Sequence, residues 1–167
     1  ANGKSFATSI EERFGFPVHI ITGDEEAELI HRGISASVRM DREKAMIMDI
    51  GGGSNELIIC DSKQVFWKQS FELGMARVLE KFTLSDPVTV KEILEVESYF
   101  RSQLGPLFES AEKHRPRILV GASGSFDTLS AMLKHALGRD PADRTPMEIS
   151  LEQFHALREK LLASTLE

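Results

Sequence analysis

A glycine turn between two apolar runs constrains the fold of this chain more than any other stretch of its sequence. Residues 45–48 are apolar, Gly51, Gly52 and Gly53 follow shortly after them, and a second apolar run occupies residues 57–60. Short apolar runs on either side of small residues predict two buried strands joined by a tight turn. Because glycine has no Cβ, the backbone N–H groups of such a turn can approach a ligand closely and form a concavity that binds anions.

Two carboxylates flank this turn. Asp49 precedes the glycines, and Glu56 follows Ser54 and Asn55. Carboxylates are suited to hold a divalent cation, which would bridge to phosphate oxygens. A phosphate site is therefore the favoured interpretation of the turn, and a plain glycine-rich hairpin is the alternative.

Composition excludes several classes of function. The chain has 167 residues, enough for one domain or one domain with a piece of another, and its net charge is −6. An acidic chain has no global basic field for nucleic acid or an acidic membrane, and no apolar run approaches the ~18 residues of a membrane span. A single cysteine, Cys60, excludes a disulfide framework and lies in an apolar run, which predicts a buried, inert thiol. We therefore expect a cytoplasmic protein with neither nucleic acid nor membrane as a partner.

Periodicity and turn signals predict alternating strands and helices. A helix is expected over residues 1–14, a strand over 17–22, and a helix from an N-cap at Asp24 to about Val38, followed by a charged linker at 40–44. After the hairpin, a strand is expected at 64–71 and a helix from there to Phe82. A helix over 88–114 follows, which Gly105 and Pro106 are expected to kink or divide. The remaining predicted elements are a strand at 116–120, a helix over 126–137 and a last helix, which Ser150 caps and which runs to about Leu166. This order indicates an α/β layer with a mixed sheet.

A second small-residue turn follows the buried strand at 116–120. It contains Gly121, Ser123, Gly124 and Ser125. Ligands of open α/β sheets bind beyond the carboxyl ends of strands, which is where both turns are expected. Neither GxGxxG nor GxxxxGK[ST] occurs, so a dinucleotide or Walker site is not predicted.

Four segments resemble the exopolyphosphatase and guanosine pentaphosphate phosphatase (Ppx/GppA) family. They are IITGDEEAELIHRGI at residues 20–34, MDIGGGSNEL at 48–57, LGMARVLEKF at 73–82 and VGASGS at 120–125. The resemblance implies an α/β fold of the actin-like (ribonuclease-H-like, ASKHA) type, with a mixed sheet flanked by helices. It also implies an active site in the cleft between two such domains.

The same resemblance implies an activity. Members of the family release terminal phosphate from inorganic polyphosphate, or the 5′-phosphate from pppGpp, with Mg²⁺ or another divalent cation. The implied partners are therefore inorganic polyphosphate or pppGpp, and a homodimer of the full-length protein is a further expectation.

Roles carried over by position begin with Glu26, which matches the family's proposed catalytic base. A solvated acid in the first turn of a helix is the alternative, and Glu25 is the neighbour with which it is most easily confused. Asp49 and Glu56 would hold the cation or its waters. The phosphate-binding residues would be Gly51, Gly52, Gly53, Ser54, Asn55, Gly121, Ser123, Gly124 and Ser125. Asn55 replaces the family's usual Thr, and Arg77 is expected to be either a phosphate clamp or a structural arginine.

The resemblance also predicts domain limits. Residues 1–39 are expected to be the end of the first actin-like domain with its connecting helix, and residues 40–167 a C-terminally truncated second domain. In this reading, the family's first phosphate loop precedes Ala1. Since in-line phosphoryl transfer needs both walls of the cleft, we expect this polypeptide alone to be nearly inactive.

Two other classes of function stay open at this point. One is an actin-like nucleotide-binding module related to the ASKHA kinases, which share the glycine hairpin but typically lack the GDEEA base. The other is a non-catalytic regulator that binds pppGpp or ppGpp through the same turns.

Overall fold

Four strands form one mixed sheet at the centre of the molecule. The computed structural model describes residues 2–38, 40, 43–143 and 145–165, without the side chain of Asp24. The predicted boundary after residue 39 and part of the predicted linker at 40–44 lie outside the described residues. The elements are α1 (Gly3–Phe14), α2 (Gly23–Ser37), β1 (Ala45–Ile50), β2 (Asn55–Cys60), β3 (Val65–Phe71), α3 (Met75–Lys81), α4 (Val90–Gln103), α5 (Gly105–His114), β4 (Ile118–Ala122), α6 (Ser123–Ala136) and α7 (Leu151–Leu162).

The strand order is β3-β2-β1-β4. β1 pairs antiparallel with β2, which pairs antiparallel with β3, whereas β4 lies parallel to β1 on its other side. The parallel pairing places the ends of β1 and β4 at the same edge, so the turns that follow them are neighbours. The predicted mixed sheet is confirmed.

Alternation along the strands builds a core on each face of the sheet. Ala45 and Ile47 of β1 are fully buried and belong to a cluster with Ala27, Ile30 and Ile34 of α2. A second cluster contains Leu57, Phe71, Leu73 and Leu107 of α5, together with partly buried side chains of β1, β3 and α4 and that of Leu104, which lies between α4 and α5. Successive side chains of a strand point to opposite faces, so α2 covers one face of the hairpin while α4 and α5 cover the other.

Cys60 ends β2 inside the first cluster. It has no exposed surface, and burial, with a smaller contribution from Asp61, raises its pKa to about 11. The expected burial of this thiol is therefore confirmed.

Capping boxes set the starts of three helices. Thr22 caps α2, Thr89 caps α4 and Ser150 caps α7, in each case with a Glu or Gln at the third helical position that reaches back to the cap. The expectation that Asp24 caps α2 was wrong, because the Thr22 hydroxyl accepts the N–H of Glu25 and the Glu25 carboxylate accepts the N–H of Thr22. The cap at Thr89 also moves the start of α4 to Val90, and α7 ends at Leu162, before the predicted end.

Gly105 and Pro106 divide the long predicted helix, as expected. α4 ends at Gln103, and α5 starts at Gly105 with proline in its first turn. Proline has no N–H to donate, and the first turn of a helix is where that donor is not needed.

The strand predicted for residues 17–22 is wrong. The segment pairs with none of the four strands of the sheet, and the Val18 N–H donates instead to the Glu11 carboxylate at 2.8 Å. Ile20 and Ile21 are largely exposed. Its β-branched residues favour an extended backbone, but a strand also needs a neighbouring strand to which its N–H and C=O groups can bond.

None of the described helices is both long enough and apolar enough to cross a bilayer.

Candidate active site

A row of three polar side chains crosses the sheet beside the glycine turn. Asp49 of β1 lies opposite Glu56 of β2, and Glu56 lies opposite Ser70 of β3. Directly paired residues project from the same face, so the three side chains are neighbours. Alternation places them on the face that carries Ala45, Ile47 and Ile58, which is the face covered by α2.

The start of α2 reaches this row. A Cβ built on Gly23 would lie 3.7 Å from the Cβ of Ser70, which is ordinary van der Waals contact. The capping box at Thr22 therefore fixes the first turn of α2, with Glu25 and Glu26, over the polar row.

Glu25 and Glu26 have different roles in this geometry. Hydrogen bonds from the Thr22 backbone and hydroxyl lower the pKa of Glu25, whose carboxylate closes the capping box. Glu26 is solvent-exposed as a whole, yet partial burial of its carboxyl, then the negative charge of Glu56, then that of Asp49, raise its pKa. The capping box takes up the carboxylate of Glu25, so Glu26 is the acid of this pair whose carboxylate stays available and is influenced by the charges of Glu56 and Asp49.

Glu56 is held by two hydroxyl groups. Its residue is only 4 % exposed, and its Oε1 accepts hydrogen bonds from Ser54 Oγ at 2.7 Å and Ser70 Oγ at 2.8 Å. The Ser54 hydroxyl, expected to contact phosphate, thus donates to a carboxylate here. These two bonds fix the position of the carboxylate on the sheet.

The glycine turn is closed by its own backbone and bound to α3. The Gly51 N–H donates to the Ser54 carbonyl at 2.9 Å, which closes the turn. The carbonyls of Gly51, Gly52 and Gly53 accept, in that order, the N–H groups of Met75, Ala76 and Gly74. The start of α3 thereby finds acceptors for N–H groups that have none within the helix.

This arrangement orients the amides of the turn. In a trans peptide, the C=O of one residue and the N–H of the next point in opposite directions. Since three consecutive carbonyls face α3, the N–H groups of Gly52, Gly53 and Ser54 are directed to the opposite side of the turn. Three successive N–H groups with a common direction form a concavity suited to an anion.

Glycine is required where the turn meets α3. A Cβ on Gly74 would overlap the backbone of Gly52 and Gly53, and a Cβ on Gly51 would lie 2.9 Å from the Ser54 carbonyl oxygen. The obstacle in both cases is backbone, which cannot move aside as a flexible side chain would.

Asn55 and Arg77 hold the other side of the turn. Asn55 Nδ2 donates to the Leu73 carbonyl at 3.0 Å, while its buried Oδ1 has no partner among the described residues. Arg77 Nε donates to the Gly53 carbonyl at 2.9 Å, and Arg77 Nη2 pairs with Glu72 at 3.2 Å. In this structure Arg77 therefore binds the backbone of the turn, and its role toward phosphate stays a prediction.

The second turn lies beside the first. Ala122 of β4 is the parallel partner of Asp49, and Ser123 Oγ donates to the Ile50 carbonyl at 3.4 Å. α6 starts at Ser123 rather than at the predicted Phe126, with Ser123 in the left-handed region at φ 66°. No side chain caps α6, so the N–H groups at its start, which include those of Gly124 and Ser125, have no capping acceptor. Because Ala122 pairs with Asp49, this start of the helix, with the positive end of its dipole, lies near Asp49.

Gly121 is needed for packing rather than for turn geometry. A Cβ there would overlap the ring of Phe126.

The two carboxylates beside the glycine turn fit a divalent cation that also binds the substrate. Among the side chains that the structure describes, no three from His, Cys, Asp and Glu form a group that could hold a metal ion. Mg²⁺ commonly takes only one or two carboxylates and completes its shell with water and phosphate oxygens. Asp49 and Glu56, paired directly across two strands, supply two carboxylates of this kind.

Ser70 and the contacts between the turn and α3 were not predicted from the sequence. Ser70 is separated from Glu56 by a whole strand and a turn, and only the register of β2 and β3 brings them together. The alternation of β3 is the one signal that could have placed Ser70 on the same face.

Comparison with known proteins gives the same family over the whole chain. The family model described as the Ppx/GppA phosphatase family matches residues 1–167. The protein named Exopolyphosphatase 2 of Mycobacterium tuberculosis is 31% identical over 128 residues, which are 77% of this chain and 40% of that protein.

Solved structures agree with this match. An exopolyphosphatase from Cytophaga hutchinsonii superposes with a TM-score of 0.90 at 36% identity, over 99% of this chain and 54% of that one. The Ppx/GppA family member of Aquifex aeolicus superposes with a TM-score of 0.79 at 21% identity, over 98% of this chain and 52% of that one, and supports the fold alone. The predicted α/β actin-like fold is confirmed by these superpositions, since the matched structures have it.

The chain spans 40% of the M. tuberculosis protein and 54% of the C. hutchinsonii chain. Within that span, the glycine hairpin, the first turn of α2 and the second small-residue turn are assembled at one edge of an actin-like sheet. With a family match over all of its residues, the chain belongs to the Ppx/GppA phosphatase family.

Proposed function

We propose that the full-length protein is an exopolyphosphatase, which hydrolyses the terminal phosphoanhydride bond of inorganic polyphosphate. One arrangement carries the proposal: the first turn of α2, which bears Glu26, packs over the strand pair that holds Asp49 and Glu56. Partial burial and then the charges of Glu56 and Asp49 raise the pKa of Glu26, and the adjacent glycine turn has its amides oriented for an anion. The proteins named exopolyphosphatase in M. tuberculosis and C. hutchinsonii support the choice of substrate.

Glu26 is the proposed general base. It would accept a proton from the water that attacks the terminal phosphorus, and a carboxylate with a raised pKa is a stronger base than an ordinary one. Its neighbour Glu25 is occupied by the capping box and serves only to position the helix.

The two turns would stabilise the charge that builds on the phosphoryl oxygens. The N–H groups of Gly52, Gly53 and Ser54 are fixed in direction before substrate arrives, which avoids reorganisation during the reaction. The start of α6, from Ser123 to Ser125, would supply further N–H donors at the next strand.

A divalent cation, with Mg²⁺ as the first choice, would neutralise negative charge on the substrate phosphates. Asp49 and Glu56 would hold it or its waters.

Release of phosphate from polyphosphate by the purified full-length protein tests this function, with pppGpp as the competing substrate. We expect Glu26→Gln to lower kcat by about 10²- to 10⁴-fold. Glu25→Gln is the matched control, because glutamine also closes a capping box and should leave kcat within about twofold.

Full activity of Glu26→Gln would remove Glu26 as the base. Hydrolysis of pppGpp in preference to polyphosphate would make the protein a guanosine pentaphosphate phosphatase of the same family. Binding of pppGpp without hydrolysis, or transfer of phosphate from ATP to an acceptor, would instead favour the regulator or the kinase relative. In the same assay, the polypeptide of residues 1–167 alone is expected to release almost no phosphate.

The cytoplasmic location, the homodimer and the absence of nucleic-acid and membrane partners stay predictions.

A further inference from the structure

Ser70 lies at a junction that the proposed function has not used. It is on β3, directly opposite Glu56, and its hydroxyl donates to Glu56 Oε1 at 2.8 Å. The first residue of α2 lies against it, since a Cβ on Gly23 would be 3.7 Å from the Ser70 Cβ. Ser70 therefore donates to the carboxylate at the centre of the polar row and lies beside the segment that carries Glu26.

The burial of Glu56 makes its hydroxyl donors important. At 4 % exposure, Glu56 has little access to water that could replace a lost hydrogen bond. A buried charged acceptor left without a partner costs more than the bond itself contributes. One donor, Ser54, belongs to the glycine turn, which must accommodate substrate, whereas Ser70 belongs to a strand of the sheet.

We propose that Ser70 is a positioning residue, which fixes the Glu56 carboxylate for a divalent cation independently of the glycine turn. The inference rests on the proposed function insofar as Glu56 serves a cation. Donors behind a ligating carboxylate orient it, and removing such a donor commonly costs 10- to 100-fold in metal affinity or activity. In this role Ser70 would act through the Glu56 carboxylate, to which its hydroxyl donates.

The test is Mn²⁺ binding to the full-length protein without substrate, measured by calorimetry. Ser70→Ala should raise the Kd for Mn²⁺ by about 10-fold, and Ser70→Thr, which keeps a hydroxyl, should restore it to within about threefold of wild type. Ser102→Ala is the matched control, since that hydroxyl donates to the Tyr99 carbonyl in α4, away from Glu56. Glu56→Gln reports the loss of the carboxylate itself.

A kinetic measurement separates positioning from general destabilisation. In the polyphosphatase assay, Ser70→Ala should raise the Mn²⁺ concentration for half-maximal rate by the same factor, with kcat at saturating Mn²⁺ within about threefold of wild type. A melting temperature equal to that of Ser102→Ala would exclude unfolding as the cause.

The outcomes distinguish the inference from the proposed function. Mn²⁺ binding that is weakened in Glu56→Gln but normal in Ser70→Ala would overturn the inference alone. If the wild type binds no Mn²⁺, both the inference about Ser70 and the proposed cation site at Asp49 and Glu56 would be overturned. Weaker Mn²⁺ binding in Ser70→Ala without any polyphosphate hydrolysis by the wild type would support the inference and reject the substrate.

Discussion

At the scale of single residues, the site depends on which of two adjacent glutamates faces the sheet. The sequence resemblance predicted Glu26, but periodicity alone could not separate it from Glu25. Thr22 favours Glu26, because its capping box takes up the Glu25 carboxylate. A capping box has a sequence signature, Thr followed three residues later by Glu, and TGDE at residues 22–25 carries it.

The charge of Glu26 is expected to destabilise the fold in the absence of a cation. Its pKa is raised in the folded state, so the folded protein binds its proton more tightly than the unfolded chain does. This destabilisation of the folded state is complete above the pKa that Glu26 has in the folded protein, and it disappears as the pH falls below the ordinary value of 4.5. Glu26→Gln should therefore raise the melting temperature at neutral pH, and this gain should vanish at about pH 4.

Glu25→Gln is the control, and its melting temperature at neutral pH should change in the opposite direction. Hydrogen bonds from Thr22 lower the pKa of Glu25, so its charge stabilises the fold above the unfolded-state pKa and this contribution is lost on acidification. Thermal melts of both variants in EDTA would test the pair. A lower melting temperature for Glu26→Gln than for wild type at neutral pH would contradict the crowding of the three carboxylates.

At the scale of elements, the glycine turn and α3 form one unit. The turn's carbonyls serve as acceptors for the start of the helix, and Asn55 and Arg77 add side-chain bonds to the same junction. Sequence reasoning predicted both the turn and the helix. It could not predict their contact, because residues 51–53 and 74–77 are separated by two strands.

Gly74→Ala tests this junction. Its Cβ would overlap the backbone of Gly52 and Gly53, so the turn or α3 must shift. We expect the free energy of unfolding to fall by about 1–3 kcal/mol and phosphate release to fall by about 100-fold, because the amides of the turn lose their position. Urea denaturation and the polyphosphatase assay measure the two effects.

Gly33→Ala is the matched control for Gly74→Ala. Gly33 is exposed inside α2, and a Cβ there would meet no atom within 4 Å. Alanine stabilises a helix interior more than glycine does, so the free energy of unfolding of this variant should rise by about 0.5–1 kcal/mol while its activity is kept. Equal activity of the two variants would show that the junction does not position the turn.

At the scale of the whole molecule, the sequence was most informative about the sheet and least about its margins. Apolar runs predicted β1, β2 and β4, alternation predicted β3, and the order of strands and helices predicted the mixed sheet. The segment at residues 17–22 has the same β-branched composition as a strand, yet it pairs with none of the four. Whether such a segment becomes a strand depends on a neighbour distant in sequence, which local propensity does not encode.

The loop after α6 depends on one buried cation. Lys134 is 1 % exposed, and its Nζ donates to the carbonyls of Asp143 at 2.6 Å and Thr145 at 2.9 Å. Lys134→Met would remove the donor to both carbonyls, and we expect the free energy of unfolding to fall by about 1–3 kcal/mol. Urea denaturation measures this loss, with the exposed Lys113→Met as a control that should change stability by less than about 0.5 kcal/mol.

A Lys134→Met protein as stable as the Lys113→Met control would show that the loop does not depend on this lysine. Activity of the folded variant at low temperature should stay near that of wild type, because Lys134 lies in the last turn of α6 and donates to the loop that follows it.

The opposed directions of C=O and N–H in the glycine turn have a consequence for amide hydrogen exchange. β1 and β2 contain the most deeply buried side chains of the sheet, so their ladder amides should exchange only when the whole domain opens. The amides of Gly52, Gly53 and Ser54 face away from α3 and should exchange rapidly until an anion covers them. Asp49 and Glu56 therefore lie where the slowest exchanging amides, in the strands, and the fastest exchanging amides, in the turn, are close together in the chain.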